Sequence, residues 1–333
     1  MQKSRLYIAA ALTVGTLIGS PSIQAAIIKI DGSSTVYPIT EAVAEEFQTS
    51  KKNAIQVTVG ISGTGGGFKK FCRDEIDIAN ASRPISEKEI EACKSAGIQY
   101  IEMPVAFDAL TIVVNPNNTF FKNITTVDEL KAMWEPTAQD KVMRWNQINP
   151  AWPDAPIKLY GPGADSGTFE YFTDAVVGKA KSSRGDYTAS EDDNVLVQGV
   201  SRDPNALGYF GYAYYAENKS RLKALAIVNP KTNAVVEPSN ATVMDGTYQP
   251  LSRPIFIYIK AASLDKPEVK EFIDFYMKNA TQLTQEVKYV PLPDSAYASN
   301  MESVTNKKYG SRFGGKNEVG ITIEELMKRE AKP

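Results

Sequence analysis

The stretch IIKIDGSSTVYPITEAV, residues 27–43, runs from a β-branched segment through a Gly/Ser/Thr turn into a helical pattern. The same order recurs in VTVGISGTGGGFKKF (57–71) and KLYGPGADSGTFEYF (158–172). Each turn leaves backbone N–H groups without an intrahelical partner, adds hydroxyl donors and carries the positive end of a helix dipole. Three such turns predict a site for an anion. Ordinary capping of the helices by Ser and Thr is the alternative for any one of them.

Strand and helix patterns alternate around these turns, which predicts an α/β fold with open sheets. In such sheets, ligands bind beyond the carboxyl ends of the strands, where all three turns lie. A strand and a helix return near the C-terminus, so we expect the chain to cross back to its first half. The predicted division is lobe 1 at 26–113, lobe 2 at 114–252 and a return segment of lobe 1 at 253–333.

The first 25 residues have the pattern of a cleaved secretory signal. Lys3 and Arg5 precede an apolar run of 14 residues, Leu6–Gly19, and a small-residue end at Ala25. The apolar run is shorter than the ~20 residues of a membrane-spanning helix, which makes a retained anchor the weaker alternative. Removing this segment leaves 35 basic and 39 acidic residues, a formal charge of −4. A mildly acidic chain without a Lys/Arg block argues against a nucleic-acid partner.

The chain has two cysteines, Cys72 and Cys93, and no histidine. In an exported protein this pair predicts one disulfide, with two buried free thiols as the alternative. Two cysteines without histidine fall short of the usual metal ligand set, so no metal site is predicted.

The segment containing Ser166 is similar to the surroundings of a nucleophilic serine. Without histidine, neither a Ser-His-Asp nor a Cys-His arrangement can form, although a Ser-Lys pair stays open. The Gly-rich turn at 62–67 is not a nucleotide-binding P-loop, because Phe68 separates the last glycine from Lys69. We therefore predict no cofactor. Of the two classes that stay open, a binding protein is favoured over a Ser-Lys enzyme, because the sequence offers no catalytic lysine motif.

Five segments carry a resemblance to a known family: DGSSTVYP, SGTGGGFKKFC, DIANASRPIS, ADSGTFEYF and NALGYFGYAYY, in this order along the chain. Together they resemble the periplasmic phosphate-binding proteins of the Pst-type ABC importer, especially the SphX-like branch. The resemblance implies a type II periplasmic-binding-protein fold, with two α/β lobes joined by a two-crossing hinge and phosphate in the cleft between them. It also implies a periplasmic location, membrane permease subunits as partners and a monomer.

The resemblance assigns ligand-binding roles to three turns. The residues are Ser34, Thr35 and the N–H of Val36 in the first turn, Ser62, Gly63, Thr64 and Gly65 in the second, and Ser166, Gly167 and Thr168 in lobe 2. Ser166 then becomes a phosphate donor and not a nucleophile.

This chain departs from the commoner family pattern in its charges. An aspartate is replaced by Arg83, which follows Ser82, and an arginine is replaced by Gly163. Arg83 is expected to bind phosphate oxygens together with Ser82, and the alternative for Arg83 is a surface salt bridge. A carboxylate must then accept the phosphate proton, and Asp108 is the first candidate, either for this role or as the counter-ion of Arg83. Asp165 is the second candidate, and its alternative role is to cap the helix that follows.

Arg202, in a polar segment before NALGYFGYAYY, is a further candidate for contact with the ligand. Three alternatives to phosphate binding stay open at this point. The cleft could take another tetrahedral oxoanion such as sulfate, Ser166 could serve an exported Ser-Lys hydrolase with Lys158 nearby, or the chain could be a structural surface protein without a small ligand.

Overall fold

A computed structural model describes residues 26–332, so the predicted signal segment lies outside the described residues. The strands are β1 (Ala26–Gly32), β2 (Ile55–Ile61), β3 (Ile78–Ala81), β4 (Tyr100–Val114), β5 (Ile124–Thr125), β6 (Lys158–Pro162), β7 (Thr188–Ser190), β8 (Ala206–Gly211), β9 (Lys223–Ala224), β10 (Ala226–Val228), β11 (Val235–Val236), β12 (Ser252–Lys260) and β13 (Val290–Pro291). The α-helices are α1 (Tyr37–Ser50), α2 (Gly63–Phe71), α3 (Glu87–Ser95), α4 (Val127–Trp134), α5 (Gly167–Phe172), α6 (Asp193–Arg202), α7 (Tyr212–Glu217), α8 (Asn240–Met244), α9 (Pro267–Glu286), α10 (Asp294–Thr305) and α11 (Ile323–Met327).

Most strands form one continuous sheet in the order β2-β1-β3-β12-β4-β8-β6-β7, and β9 and β13 also pair with β4. β1 is parallel to β2 and β3 in one half, and β6 is parallel to β7 and β8 in the other. The antiparallel strands β4 and β12 join the two halves. This mixed α/β architecture confirms the predicted fold class.

β4 carries the chain from one half of the sheet to the other. It is buried along its whole length, and it pairs with β12 through Ala109 and with β8 from Leu110 onward. β12 begins at Ser252, opposite Ala109, so the outgoing and returning chains lie side by side. Two adjacent crossings are the geometry that a hinge between lobes requires. The lobe boundaries themselves stay a prediction.

Apolar faces and a disulfide fix the first half. Phe47 on α1 meets Phe272 on α9 edge to face, with ring centroids 5.3 Å apart. Cys72 and Cys93 are bonded, which confirms the predicted disulfide and ties the end of α2 to α3. Within residues 26–332, no helix has both the length and the apolar character needed to cross a membrane.

Candidate functional site

The first turn, between β1 and α1, directs two buried hydroxyls toward the other half of the fold. Thr35 Oγ1 lies 3.1 Å from Thr168 Oγ1, and Ser34 Oγ donates to Asp193 Oδ1 at 3.4 Å. No side chain caps α1, which begins after Val36, so the capping alternative fails for this turn. A tyrosine from a distant part of the chain fixes the turn, because the Tyr289 hydroxyl donates to the Thr35 backbone carbonyl at 2.6 Å.

The second turn, before α2, has two parts that differ in direction. Thr64 Oγ1 lies 3.1 Å from Ser82 Oγ and accepts the Ser82 backbone N–H, so these hydroxyls form a buried pair. Ser62 Oγ instead donates to Asp31 Oδ1 at 2.6 Å and does not cap α2. The structure therefore brings Thr64 and Ser82 together and directs Ser62 away from them.

Glycines in these turns allow close approach between the halves. Gly63 has a φ of +73°, and a Cβ there would lie 2.8 Å from the Asp165 carbonyl oxygen. The Gly65 backbone N–H donates to that same oxygen at 2.7 Å. A Cβ on Gly167 would lie 2.6 Å from Ser82 Oγ. Any larger residue at Gly63 or Gly167 would push the two halves apart.

The third turn, before α5, contributes Ser166, Gly167 and Thr168, all buried. Ser166 Oγ accepts the Thr168 backbone N–H at 3.0 Å, so the capping alternative holds for this serine. Asp165 is 42% exposed and forms an ion pair with Lys69 at 2.8 Å. This pair bridges α2 and the third turn at the rim of the site.

Arg253 on β12 is the buried charge at the centre of the site, and the sequence analysis missed it. It is 1% exposed, and its Nη2 donates to Thr168 Oγ1 at 2.7 Å and contacts Thr35 Oγ1 at 3.4 Å. Its Nη1 donates to the Gly167 carbonyl at 3.2 Å. The available signal was an arginine opening the apolar segment SRPIFIYIK. Arg253 links the first and third turns.

Asp108 is the counter-ion of Arg253, so the predicted pairing of Asp108 with Arg83 is wrong. Asp108 Oδ2 accepts from Arg253 Nη2 at 3.2 Å, and the two residues are direct cross-strand neighbours on β4 and β12. Asp108 Oδ1 accepts the Tyr212 backbone N–H at 3.3 Å. Burial raises the pKa of the Asp108 carboxyl, and Arg253 offsets part of this rise.

Arg83 is buried between two glutamates. Its Nη1 and Nη2 donate to Glu89 at 2.7 and 2.8 Å, and its Nε and Nη2 reach Glu170 at 2.6 and 3.0 Å. Burial disfavours the charged form, but Glu89 and Glu170 outweigh it and raise the pKa of Arg83. This geometry argues against the predicted grip of Arg83 on an anion, because carboxylates already occupy both sides of its guanidinium.

Arg202 and Gly163 also differ from expectation in their surroundings. Arg202 is exposed at the last position of α6, whereas Ser34 contacts the first residue of that helix. A helix of 10 residues is ~15 Å long, so Arg202 lies away from the site. A Cβ on Gly163 would lie 2.2 Å from Glu191 Oε1, so the glycine provides room for that carboxylate.

Asp193, the first residue of α6, is a second buried charge that the sequence analysis missed. It is 1% exposed and receives the Ser34 hydroxyl described above. Burial, followed by repulsion from Asp108, raises the pKa of Asp193 to about 7. Its sequence signal was weak, because an aspartate in SEDDNV is typical of an exposed helix start. Among the described residues, no three metal-ligating side chains converge here or elsewhere.

Comparison with known proteins adds a family to this geometry. Residues 14–280 match a model described as a PBP superfamily domain. The protein SphX of Synechococcus elongatus is 53% identical over 313 residues, which cover 94% of this chain and 91% of that protein. The phosphate-binding protein PstS of Staphylococcus saprophyticus is 37% identical, covering 83% of this chain and 84% of that one. A solved structure of a possible phosphate binding protein from Planctomyces limnophilus shares 52% identity and a TM-score of 0.61, covering 85% of this chain and 98% of that one.

Proposed function

Because this chain belongs to the PBP superfamily, and within it to the group of SphX and PstS proteins, we propose that it binds inorganic phosphate between its two lobes for delivery to an ABC-type importer. It is a substrate-binding protein and not an enzyme. On this proposal the lobes are residues 26–113 with 253–333, and residues 114–252. Residues 1–25 direct export to the periplasm, and the chain acts as a monomer that docks on membrane permease subunits.

The observation that carries this proposal is the position of Arg253. Its guanidinium is buried, and it contacts hydroxyls from both lobes, Thr35 and Thr168. A fixed guanidinium with converging hydroxyl donors is the chemistry that recognises a tetrahedral oxoanion. Closure of the lobes around the anion excludes water and strengthens each of these interactions.

The proposed site follows the sequence prediction in part. Its donors are the hydroxyls and amides of Ser34, Thr35, Val36, Thr64, Ser82, Ser166, Gly167 and Thr168, with Arg253 as the cation. Ser62, Gly63 and Gly65 shape the second turn, and Asp165 supports closure through Lys69. Arg83 and Arg202 are left out of the site, for the reasons of contact and distance given above.

The test is calorimetric titration of the chain from Ala26, unfolded, dialysed free of phosphate and refolded. We expect 1:1 binding of phosphate at micromolar concentration or below. Thr168→Val removes one hydroxyl donor at nearly constant volume and should weaken binding ~10- to 100-fold. Thr188→Val is the matched control, because Thr188 is exposed on β7 and should leave binding unchanged. A wild-type chain that binds no phosphate would refute the proposal.

Two alternatives to phosphate binding, a general oxoanion receptor and a Ser-Lys hydrolase, can be separated from the proposal. Equal affinity for sulfate and phosphate would identify a general oxoanion receptor. A Ser-Lys hydrolase needs a lysine beside Ser166, but Lys158 lies at the opposite end of β6 from the third turn, ~13 Å away along a strand of 5 residues. The Ser166 hydroxyl is also engaged by the Thr168 N–H, as expected of a helix cap.

A further inference from the structure

Asp193 carries a buried carboxylate oxygen that the fold does not satisfy. Its Oδ1 receives the hydroxyl of Ser34, but Oδ2 has no hydrogen-bond partner of normal geometry among the described residues. An unsatisfied carboxylate oxygen in a buried position is costly, so a donor is expected to meet it in the functional state. Ser34 belongs to the first turn of the proposed phosphate site, and Arg253 and Asp108 also lie near Asp193, so a ligand in the proposed cleft can supply this donor.

Three other carboxylates lie near the site. Glu191 also has an oxygen without a partner, Oε2, but its side chain is partly exposed and its other oxygen accepts the Asp165 backbone N–H at the rim. The two predicted candidates, Asp108 and Asp165, are already engaged. Asp108 gives one oxygen to Arg253 and the other to the Tyr212 backbone N–H. Asp165 gives both oxygens to Lys69, at 2.8 and 2.9 Å, and is partly exposed to water. Neither has the free, buried acceptor that Asp193 has.

We propose that Asp193 accepts a hydrogen bond from the protonated oxygen of phosphate and thereby distinguishes phosphate from sulfate. This inference rests on the proposed function and deepens it. On this inference the acceptor of the phosphate proton lies at the start of α6 in lobe 2 and is not one of the predicted candidates, Asp108 and Asp165.

The charges around the site support this assignment. Arg253 is balanced by Asp108, so an ionised Asp193 adds an uncompensated negative charge beside an anion. A P–OH group replaces that repulsion with a charge-assisted hydrogen bond. Sulfate carries no proton near neutral pH, so Asp193 must first take a proton from solvent before sulfate can bind. An acceptor that rewards one anion and repels its isostere provides specificity.

The protonation of Asp193 is accessible in this pH range. Burial and then Asp108 raise its pKa to about 7, while Arg253 and the Gly211 backbone amide lower it in part. The titratable and charged groups that face it are Asp108 on β4, Arg253 on β12, Asp192 before α6, Tyr214 on α7 and Tyr289 before β13. Linkage then predicts that sulfate affinity falls about tenfold per pH unit above pH ~7.

The experiment compares wild type, Asp193→Asn and the matched control Asp192→Asn by calorimetry. Asp192 is the adjacent residue, and its carboxylate caps α6 through the Asn194 N–H, a role that asparagine also fills. Phosphate and sulfate are titrated at pH 6, 7 and 8 in two buffers of different ionisation enthalpy, which reports proton uptake. Both the monoanion and the dianion of phosphate keep a proton throughout this range.

We expect wild type and Asp192→Asn to prefer phosphate strongly and to take up about one proton when sulfate binds at pH 8. Asp193→Asn should bind phosphate ~10- to 100-fold more weakly. Its sulfate binding should show neither the pH dependence nor the proton uptake. The ratio of its phosphate affinity to its sulfate affinity should therefore be smaller than in wild type. Gain of sulfate binding by Asp193→Asn supports the inference even where wild-type sulfate binding is too weak to measure.

The two proposals fail in different ways. If wild type binds phosphate but Asp193→Asn keeps the same phosphate affinity and preference, Asp193 does not read the proton and the proposed function stands. If wild type binds no phosphate, the proposed function is wrong and the inference falls with it. If Asp193→Asn does not fold, sulfate binding to wild type decides: a pH-independent sulfate affinity without proton uptake overturns the inference.

Discussion

Replacing Arg253 by methionine tests whether its charge serves the ligand, the fold or both. Methionine keeps much of the side-chain volume and removes the guanidinium. The Arg253–Asp108 pair is 1% and 0% exposed. Removing one partner of such a buried pair costs ~3–5 kcal/mol of unfolding free energy, because the other charge is left without compensation. We expect Arg253→Met to fall in this range at pH 8.

The cost should depend on pH through Asp108. Burial already raises the pKa of Asp108, and the loss of Arg253 removes the influence that lowers it. A carboxyl with a folded pKa above its unfolded value contributes stability below the unfolded pKa, and this contribution is lost as pH rises through the folded pKa. The deficit of Arg253→Met should therefore be larger at alkaline than at acidic pH. Adding Asp108→Asn should recover stability at pH 8 and remove the pH dependence.

Phosphate binding should respond differently from stability. Arg253 would give the anion at least one charge-assisted hydrogen bond beyond its Coulomb attraction, so its loss should weaken binding by ~100-fold or more. The double variant Arg253→Met/Asp108→Asn should regain stability without regaining this affinity. Urea unfolding of phosphate-free protein and calorimetric titration measure the two effects separately. Arg202→Met, at an exposed arginine, is the control. Phosphate affinity of the double variant within threefold of wild type would refute a role of Arg253 at the ligand.

Three further predictions concern the rim and the scaffold. Ser166→Ala should weaken phosphate binding ~10-fold. Neither this variant nor wild type should hydrolyse phosphate or carboxylate esters. Ester hydrolysis by wild type that Ser166→Ala lacks would support the hypothesis that Ser166 is a nucleophile. Lys69→Met should change the unfolding free energy by less than ~1 kcal/mol, because the side chains of the Lys69–Asp165 pair are 64% and 42% exposed. A larger loss of unfolding free energy in urea unfolding would contradict this. Replacing Cys72 and Cys93 by serine should lower stability by ~3 kcal/mol for a separation of 21 residues; an unchanged urea midpoint would contradict this.

Local signals in the sequence were sufficient for several strands and helices and for the three turns. The helical spacing of apolar residues at 87–95 and 127–134 coincides with α3 and α4, and each helix begins with a capping box. Of β4, only residues 110–114 have the pattern of a strand in the sequence, because its first part contains Glu102 and Pro104. Glu102 is satisfied within the fold by Tyr258 and Ser311, which lie far away in sequence.

The pairing of charged side chains could not be predicted from local sequence. Asp108 and Arg253 are 145 residues apart and meet because β4 and β12 are antiparallel in one register, in which these residues are direct partners. A shift of one residue would direct one of the two side chains to the opposite face. Asp193 and Ser34 are 159 residues apart and come from different halves of the sheet order, so only the tertiary fold brings them together. Sequence pattern located the hydroxyl-rich turns, whereas tertiary pairing decided which charges accompany them.

The two departures from the commoner family pattern each have a partner in this structure. Arg83, at a position that is aspartate in that pattern, is neutralised by Glu89 and Glu170, and the Glu170 contact joins two segments that are assigned to different lobes on our proposal. Gly163, at a position that is arginine in that pattern, provides the space that Glu191 occupies. The positive charge of Arg83 is thus compensated by neighbouring glutamates and does not need the charge of the ligand. On our proposal the ligand's own charge and proton are then met elsewhere, by Arg253 on the returning strand β12 and by Asp193 on α6. On the predicted division these two residues belong to different lobes, so the proposed site is complete only when both lobes contribute to it.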